Sequence, residues 1–240
     1  MLQHIMTTAA DAANRQFEVL DRISHNVANV NTTGYKVKRF EQYLRVDGEV
    51  DGIERTDTTQ AILQVTKRPL DIGIEGAGYM PVTQPDGTTA YTRDGSFTKS
   101  AEGLLITSRG DIVGSGIQLP MTYHKVFIQK NGDVQLVEKP TDEPRTIGSI
   151  PLVTFTNPEA LHSIGGNKLV PTEDSGLPKI AEAGEGAPGG EIRQGTLERS
   201  NVNMYYQIDQ VLRLNASVIS NMRVAKFTDD LYRQAVNLRQ

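Results

Sequence analysis

The chain contains no cysteine and no tryptophan. The first absence excludes disulfides, thiolate nucleophiles and Cys-ligated zinc. The second, with aromatics at 6% of residues, leaves a poor surface for stacking on sugar rings. No apolar run approaches the ~20 residues that a membrane span requires. The amino end, Met-Leu-Gln-His, has neither a basic nor an apolar segment, and the first arginine is Arg15, so a cleaved secretory signal is not expected. A dominant charge is also missing: 25 Lys and Arg against 29 Asp and Glu give a net charge of −4, which offers nucleic acid or an anionic membrane no attraction. His4, His25, His124 and His162 are scattered, without a His-Glu-x-x-His zinc pattern. There is no Gly-x-Ser-x-Gly elbow, and the carboxylates are sprinkled rather than paired. No enzyme, cofactor or metal is expected.

What the sequence does hold is a helix pattern at each end and a turn-rich middle. A heptad-like row runs Leu2, Met6, Ala9, Ala13, Gln16, Leu20, Ile23, Val27, Val30, with Phe17 covering the gap at Gln16. Such a helix is about 45 Å long at ~1.5 Å per residue, and it cannot bury its stripe alone. Asn29, Asn31 and Gly34 end it, because Asn and Gly tolerate the left-handed conformation that stops a helix. At the other end a row runs Met204, Ile208, Val211, Asn215, Val218, Met222, Ala225, with Ser200 or Asn201 available as N-cap. Asn215 either fixes register in a coiled-coil seam or faces solvent.

Between them the texture is β. Asp86-Gly87, Asp94-Gly95 and Asn131-Gly132 are hairpin signals separating short runs such as Tyr79–Thr83, Thr89–Thr92, Lys125–Ile128 and Val134–Val137. Asp47 to Gly52 imitates the start of an EF-hand loop, but the twelfth position is Thr58 where a bidentate Glu is required. Gly73, Gly76 and Gly78 lack the strand-turn-helix setting of a phosphate loop and read as packing and turn glycines. Residues 172–190 gather Gly, Pro, Glu and Ala and read as a flexible linker. The fold class expected is α+β: N- and C-terminal helices paired as a coiled-coil-like axial domain (1–36 and 200–240), extended connections (37–68 and 191–199), and an inserted, mainly antiparallel β domain (69–190).

Ala28, Asn29, Thr32, Gly34, Tyr35 and Lys36 match the turn signature that follows the first helix of the flagellar rod and hook proteins, the axial proteins of the bacterial flagellum. Two further stretches resemble the same family. One runs from Pro69 through Gly76 and Gly78 to Tyr91-Thr92-Arg93-Asp94-Gly95-Ser96-Phe97, and continues at 148–167. The other is Gly195-Thr196-Leu197-Glu198-Arg199-Ser200-Asn201-Val202. Where the family commonly carries Arg-x-aromatic-Glu, this chain reads Ala216-Ser217-Val218-Ile219, which removes any subunit contact that would rest on those polar residues.

The resemblance implies a structural rod subunit whose terminal helices polymerise with copies of itself and with other rod subunits around the export channel, transmitting torque from motor to hook. It implies passage through the flagellar type III export apparatus and a place in the basal body outside the inner membrane, with the surrounding bushing rings as candidate partners. Assembly contacts are expected at the seam residues Leu2, Met6, Leu20, Ile23 and Val27, and at Ile208, Val211, Val218 and Met222. The motif residues Asn29, Gly34, Tyr35, Ser200, Asn201 and Val202 are expected to join them. Gly34 is expected at positive φ, with Gly34→Val impairing assembly more than folding of the β domain. The short stretch 37–68 and Arg68-Pro69-Leu70-Asp71 resemble the proximal-rod type most, with the distal-rod type as the alternative. A carbohydrate-binding or peptidoglycan-hydrolysing β domain on a helical hairpin is the reading from another class.

Overall fold

All 22 glycines and 11 prolines lie between Gly34 and Gly195, so the two ends of the chain are free of helix breakers and the middle is punctuated throughout. The computed structural model describes residues 2–44, 46, 50–181, 184 and 189–237, with the side chains of 2–13, 42, 44, 50, 232 and 235–237 outside the description. Of the acidic stretch 47–52 that imitates an EF-hand, 47–49 lie outside the described residues and 50–52 belong to a strand.

Helix α1 spans Leu2–Ala28, followed by strands β1 (Lys38–Leu44), β2 (Val50–Thr56), β3 (Leu63–Val65) and β4 (Ile72–Glu75). Then come β5 (Met80–Thr83), β6 (Thr89–Thr92), β7 (Thr98–Lys99), β8 (Leu105–Ile106) and β9 (Ile112–Val113). Strands β10 (Lys125–Ile128), β11 (Asp133–Val137), β12 (Arg145–Ser149) and β13 (Leu152–Thr154) precede a 3₁₀ turn at Pro158–Ala160. The chain continues with β14 (His162–Gly165), β15 (Lys168–Val170), β16 (Lys179–Ala181), β17 (Glu191–Gln194) and β18 (Thr196–Glu198), and ends in α2 (Met204–Asn237). The fold is therefore α+β. Within the stretch read as a linker, β16 forms and pairs with β13. Residues 182, 183 and 185–188 lie outside the described residues.

The residues fall into two compact units: 1–30, 38–55 and 202–240 form a helical unit, and 31–37 with 56–201 form a β unit. In the helical unit α1 and α2 lie against each other and β1 runs beside α1. The packed face is polar at key positions. Asn26 Nδ2 donates to Gln207 Oε1 at 3.3 Å and to the Lys38 carbonyl at 2.8 Å, while its Oδ1 accepts the Lys38 amide at 3.0 Å. Gln16 Nε2 donates to Ser217 Oγ at 2.8 Å. An ion pair from Arg22 of α1 to Glu54 of β2 at 2.8 Å ties the β1–β2 ribbon to the helix, and Lys38 of β1 pairs with the same carboxylate at 2.8 Å within the ribbon. Gln16 is thus buried at 8% exposure and Phe17 stands out at 69%, the reverse of the expected cover. Asn215 is exposed and Leu214 half-buried in its place. Helix α2 is capped by Asn203, whose Oδ1 accepts the Tyr206 amide at 3.2 Å, which corrects the expectation of Ser200 or Asn201.

In the β unit a seven-stranded antiparallel sheet runs β14-β15-β6-β5-β9-β8-β7, beside a three-stranded sheet β10-β11-β12 and the pairs β4-β17, β3-β18 and β13-β16. Ile72, Ile74, Met80, Phe97, Leu152 and Ile192 belong to its main core, each 0–1% exposed. A smaller cluster stacks Tyr91 edge-on against Phe155, centroids 5.0 Å apart. Asp86-Gly87 joins β5 to β6 and Asn131-Gly132 joins β10 to β11, as the turn signals predict. Asp94-Gly95 makes no hairpin. Gly95 instead lies across β4, accepting the Ile72 amide at 3.0 Å, and a Cβ there would sit 1.7 Å from the Ile72 carbonyl oxygen.

Candidate functional site

Three segments far apart in sequence meet inside the β unit. The turn after α1 contributes Gly34, whose amide donates to the Glu198 carbonyl at 2.8 Å, and Lys36. β18 contributes the Glu198 side chain, 1% exposed. The loop after β6 contributes Arg93. Lys36 Nζ donates to Glu198 Oε1 at 2.7 Å and to the Thr59 carbonyl at 2.6 Å. Arg93 Nε donates to Glu198 Oε2 at 2.7 Å, and its terminal nitrogens donate to the carbonyls of Gly78 at 2.9 Å and Gly76 at 3.0 Å. The Ala61 amide completes the carboxylate at 2.9 Å. Every group is matched, as burial of charge demands. Burial pushes the Lys36 ammonium below the ordinary lysine value, against the raising effect of Glu198.

Asn201 closes the junction. Its Oδ1 accepts the Val37 amide at 2.7 Å, its Nδ2 donates to the Asp57 carbonyl at 2.9 Å, and its own amide donates to the Tyr35 carbonyl at 3.3 Å. Gly34 has φ +67°, as expected. A Cβ there would stand 2.7 Å from the Arg93 carbonyl carbon and the Asp94 amide nitrogen. Gly34 is therefore needed within the β unit itself, so Gly34→Val is expected to strain that unit as well as any assembly contact.

Beside the junction is a cleft of about 280 Å³ lined by Arg93, Tyr79, Phe155, Pro158 and the Gly76–Gly78 turn. Tyr79 and Phe155 pack edge to face at 5.9 Å, and burial raises the Tyr79 phenol above its ordinary value. Lys36, Arg93 and Glu198 spend their hydrogen bonds on one another and on backbone, which is the pattern of a structural tie. Among the described residues no group of three or more His, Asp or Glu is placed to hold a metal, and no helix is long and apolar enough to cross a membrane.

Of the residues singled out from sequence, Gly34, Tyr35 and Asn201 meet at this junction with Ser200 adjacent. Ile23 and Val202 are buried in the helical unit, and Val211 and Val218 are half-buried. Asn29 donates its side chain to the His25 carbonyl at 2.8 Å at the end of α1. Leu20, Val27, Ile208 and Met222 point outward. The side chains of Leu2 and Met6 lie outside the described residues. Sequence reasoning missed the ion triad. The available signal was slight: each of the three resembling segments carries at least one charge, but nothing local singles out Lys36, Arg93 and Glu198 as partners.

Residues 6–36 match a family profile described as flagella basal body rod protein, and residues 73–136 match the D1 domain of the flagellar hook protein FlgE/F/G. The flagellar basal-body rod protein FlgG of Caulobacter vibrioides is 32% identical over 264 residues, covering 99% of this chain and 100% of the relative. The chain belongs to the flagellar basal-body rod protein family. Its FlgG relative in Borreliella burgdorferi is 32% identical over 270 residues, with all of both chains covered. The rod protein FlgF of Caulobacter vibrioides is 30% identical over 235 residues, 90% of each chain. In this rod-family chain Lys36 closes the first matched stretch and Arg93 lies in the second, while Glu198 lies beyond both.

Proposed function

We propose that this chain is a structural subunit of the flagellar basal-body rod that polymerises through its terminal helices, paired in coiled-coil fashion, into the shaft transmitting torque from motor to hook. The observation that carries the mode of assembly is the outer face of α2, where Ile208, Leu212, Ile219, Met222, Val224 and Phe227 are 48–67% exposed. The face turned inward carries Gln207 and Thr228, 3% and 5% exposed. A long helix that turns two polar side chains inward and leaves large apolar side chains outside is built for further neighbours. The seam and motif residues named from sequence are proposed as the assembly contacts, the exposed ones directly and Gly34, Tyr35 and Asn201 by holding the turn from which α1 departs.

The subunit leaves the cytoplasm unfolded through the type III export apparatus and takes its place outside the inner membrane, in the periplasm of a diderm. No catalytic role is proposed. For position along the rod the proximal type is favoured over the distal. The short 37–68 stretch supports it, and the FlgG alignment of 264 positions against a chain of 240 residues means that relative carries residues absent here.

Complementation of a strain lacking the gene with Leu212→Asp/Met222→Asp tests the reading. The expected result is an exported, monomeric subunit without rods or motility. Normal rods would overturn it, and a tagged chain in a map of the basal body decides proximal against distal.

A further inference from the structure

Residues 191–201 do unusual work for so short a stretch. β17 is the sole strand partner of β4 among the described residues, in register from Glu191 opposite Glu75 to Gln194 opposite Ile72. Its Ile192 is a core residue at 1% exposure, and the Ile192 amide donates to the Lys130 carbonyl at 3.0 Å. The side chain of Gln194 stands where the peptide group of a neighbouring strand would stand on the open edge of β10. Its Nε2 donates to the Val126 carbonyl at 3.0 Å and its Oε1 accepts the Ile128 amide at 3.2 Å. The same Nε2 donates to the Pro69 carbonyl at 2.7 Å. β18 then pairs with β3, and Glu198 supplies the carboxylate for Lys36 and Arg93.

We infer that residues 191–201 are the closing segment of the β unit, which has no stable native state until this stretch is laid across it. The physical case is the set of groups left behind if it lifts away. Two buried cations lose the carboxylate that both of them bond, the β10 edge opens to foreign strands, and the core loses Ile192. Because these losses fall on the turn after α1, the three-stranded sheet and the loop after β6 at once, the segment cannot peel off as a local strap. A chain that is made or moved amino end first therefore completes this unit only when its final residues arrive. This closure belongs to a single chain and needs no neighbour.

Native-state hydrogen exchange on the unaltered full chain, in a series of low denaturant concentrations, tests the inference. The amides of Ile192, Gly195 and Arg199, bonded to the carbonyls of Lys130, Asp71 and Ile62, report the segment. Those of Leu105 and Ile150, bonded to the carbonyls of Ile117 and Gly132, report the rest of the unit. The expected result is one common exchange rate, after correction for intrinsic rates, and one denaturant dependence for both sets. Gln194→Ala should speed both by the same factor, about tenfold for the loss of this edge cap. Exchange of the segment amides ~100-fold faster than Leu105 and Ile150 with little denaturant dependence, or acceleration by Gln194→Ala confined to the segment, would overturn it.

Discussion

The β unit and the helical unit solve burial in opposite ways. The β unit encloses a large apolar core together with the charges of Glu198, Lys36 and Arg93, and leaves only scattered apolar side chains such as Ile62, Met121 and Leu177 outside. The helical unit buries Gln16, Asn26, Gln207 and Thr228 and shows Phe17, Leu212, Met222 and Phe227 to the outside. The first arrangement is complete within one chain. The second is not, because the hydrophobic effect that stabilises long amphipathic helices is available only where the apolar face is covered. The exposed face of α2 proposed for assembly and the residues that fold the β unit are therefore separable, and substitutions can be chosen to strike one without the other.

The largest effect is expected at the ion triad. Glu198→Ala strands two buried cations and should remove about 3–5 kcal/mol from the β unit, read by urea denaturation followed through tyrosine fluorescence. Lys36→Met should cost less than half as much, since burial already disfavours the Lys36 charge and Arg93 still neutralises the carboxylate. An equal cost would mean that the carboxylate is not the pivot. Lys36 also sets a pH dependence. Its folded value lies below its unfolded one, so between the two the unfolded chain binds more protons, and this group's contribution to stability rises as pH rises through that window. Comparison of Lys36→Met with the parent chain on the alkaline side of neutrality isolates that slope, which the variant should lack.

Gly34→Val comes next. The left-handed backbone alone costs about 1–2 kcal/mol for a residue with a Cβ, and the Arg93–Asp94 backbone must also retreat. The β unit should melt earlier even in dilute monomer; an unchanged melting curve with failed assembly would place the turn's role in polymerisation and not in folding. Asn26→Ala should cost the helical unit about 1 kcal/mol, visible as an earlier loss of helical circular dichroism with the β unit unaffected. Smallest for the monomer is Met222→Ser, within about 0.5 kcal/mol for an exposed site. It should nonetheless weaken polymerisation measured by sedimentation, and that split between monomer and polymer is what the comparison of the two units requires.

The architecture was legible because its punctuation is strong. Helix ends fall where Gly and Pro begin and cease, and the turns at Asp86-Gly87 and Asn131-Gly132 announce their hairpins. Asp94-Gly95 misled because its glycine answers to a long-range need, the passage of the Ile72 carbonyl, and not to a turn. The seams were half legible. Periodicity places apolar residues inside, so Ile208, Asn215 and Met222 were put in the row of α2, whereas packing selects their predecessors Gln207, Leu214 and Asn221. Hydrogen bonding across the helix pair, as between Asn26 and Gln207, overrides the count of apolar side chains there. The triad was hidden for a simpler reason: Lys36 and Arg93 lie 162 and 105 residues from Glu198, and no local pattern encodes a partner at such distances.

The separation of a self-sufficient β unit from a neighbour-dependent helical unit is tested most directly by amide hydrogen exchange on the same protein as dilute monomer and as assembled polymer. Strong protection of β4, β5 and β11 in both states, with α1 and α2 exchanging readily in the monomer and becoming protected on assembly, is the predicted result. Helices protected in the monomer as strongly as the β unit, with no gain on assembly, would contradict it.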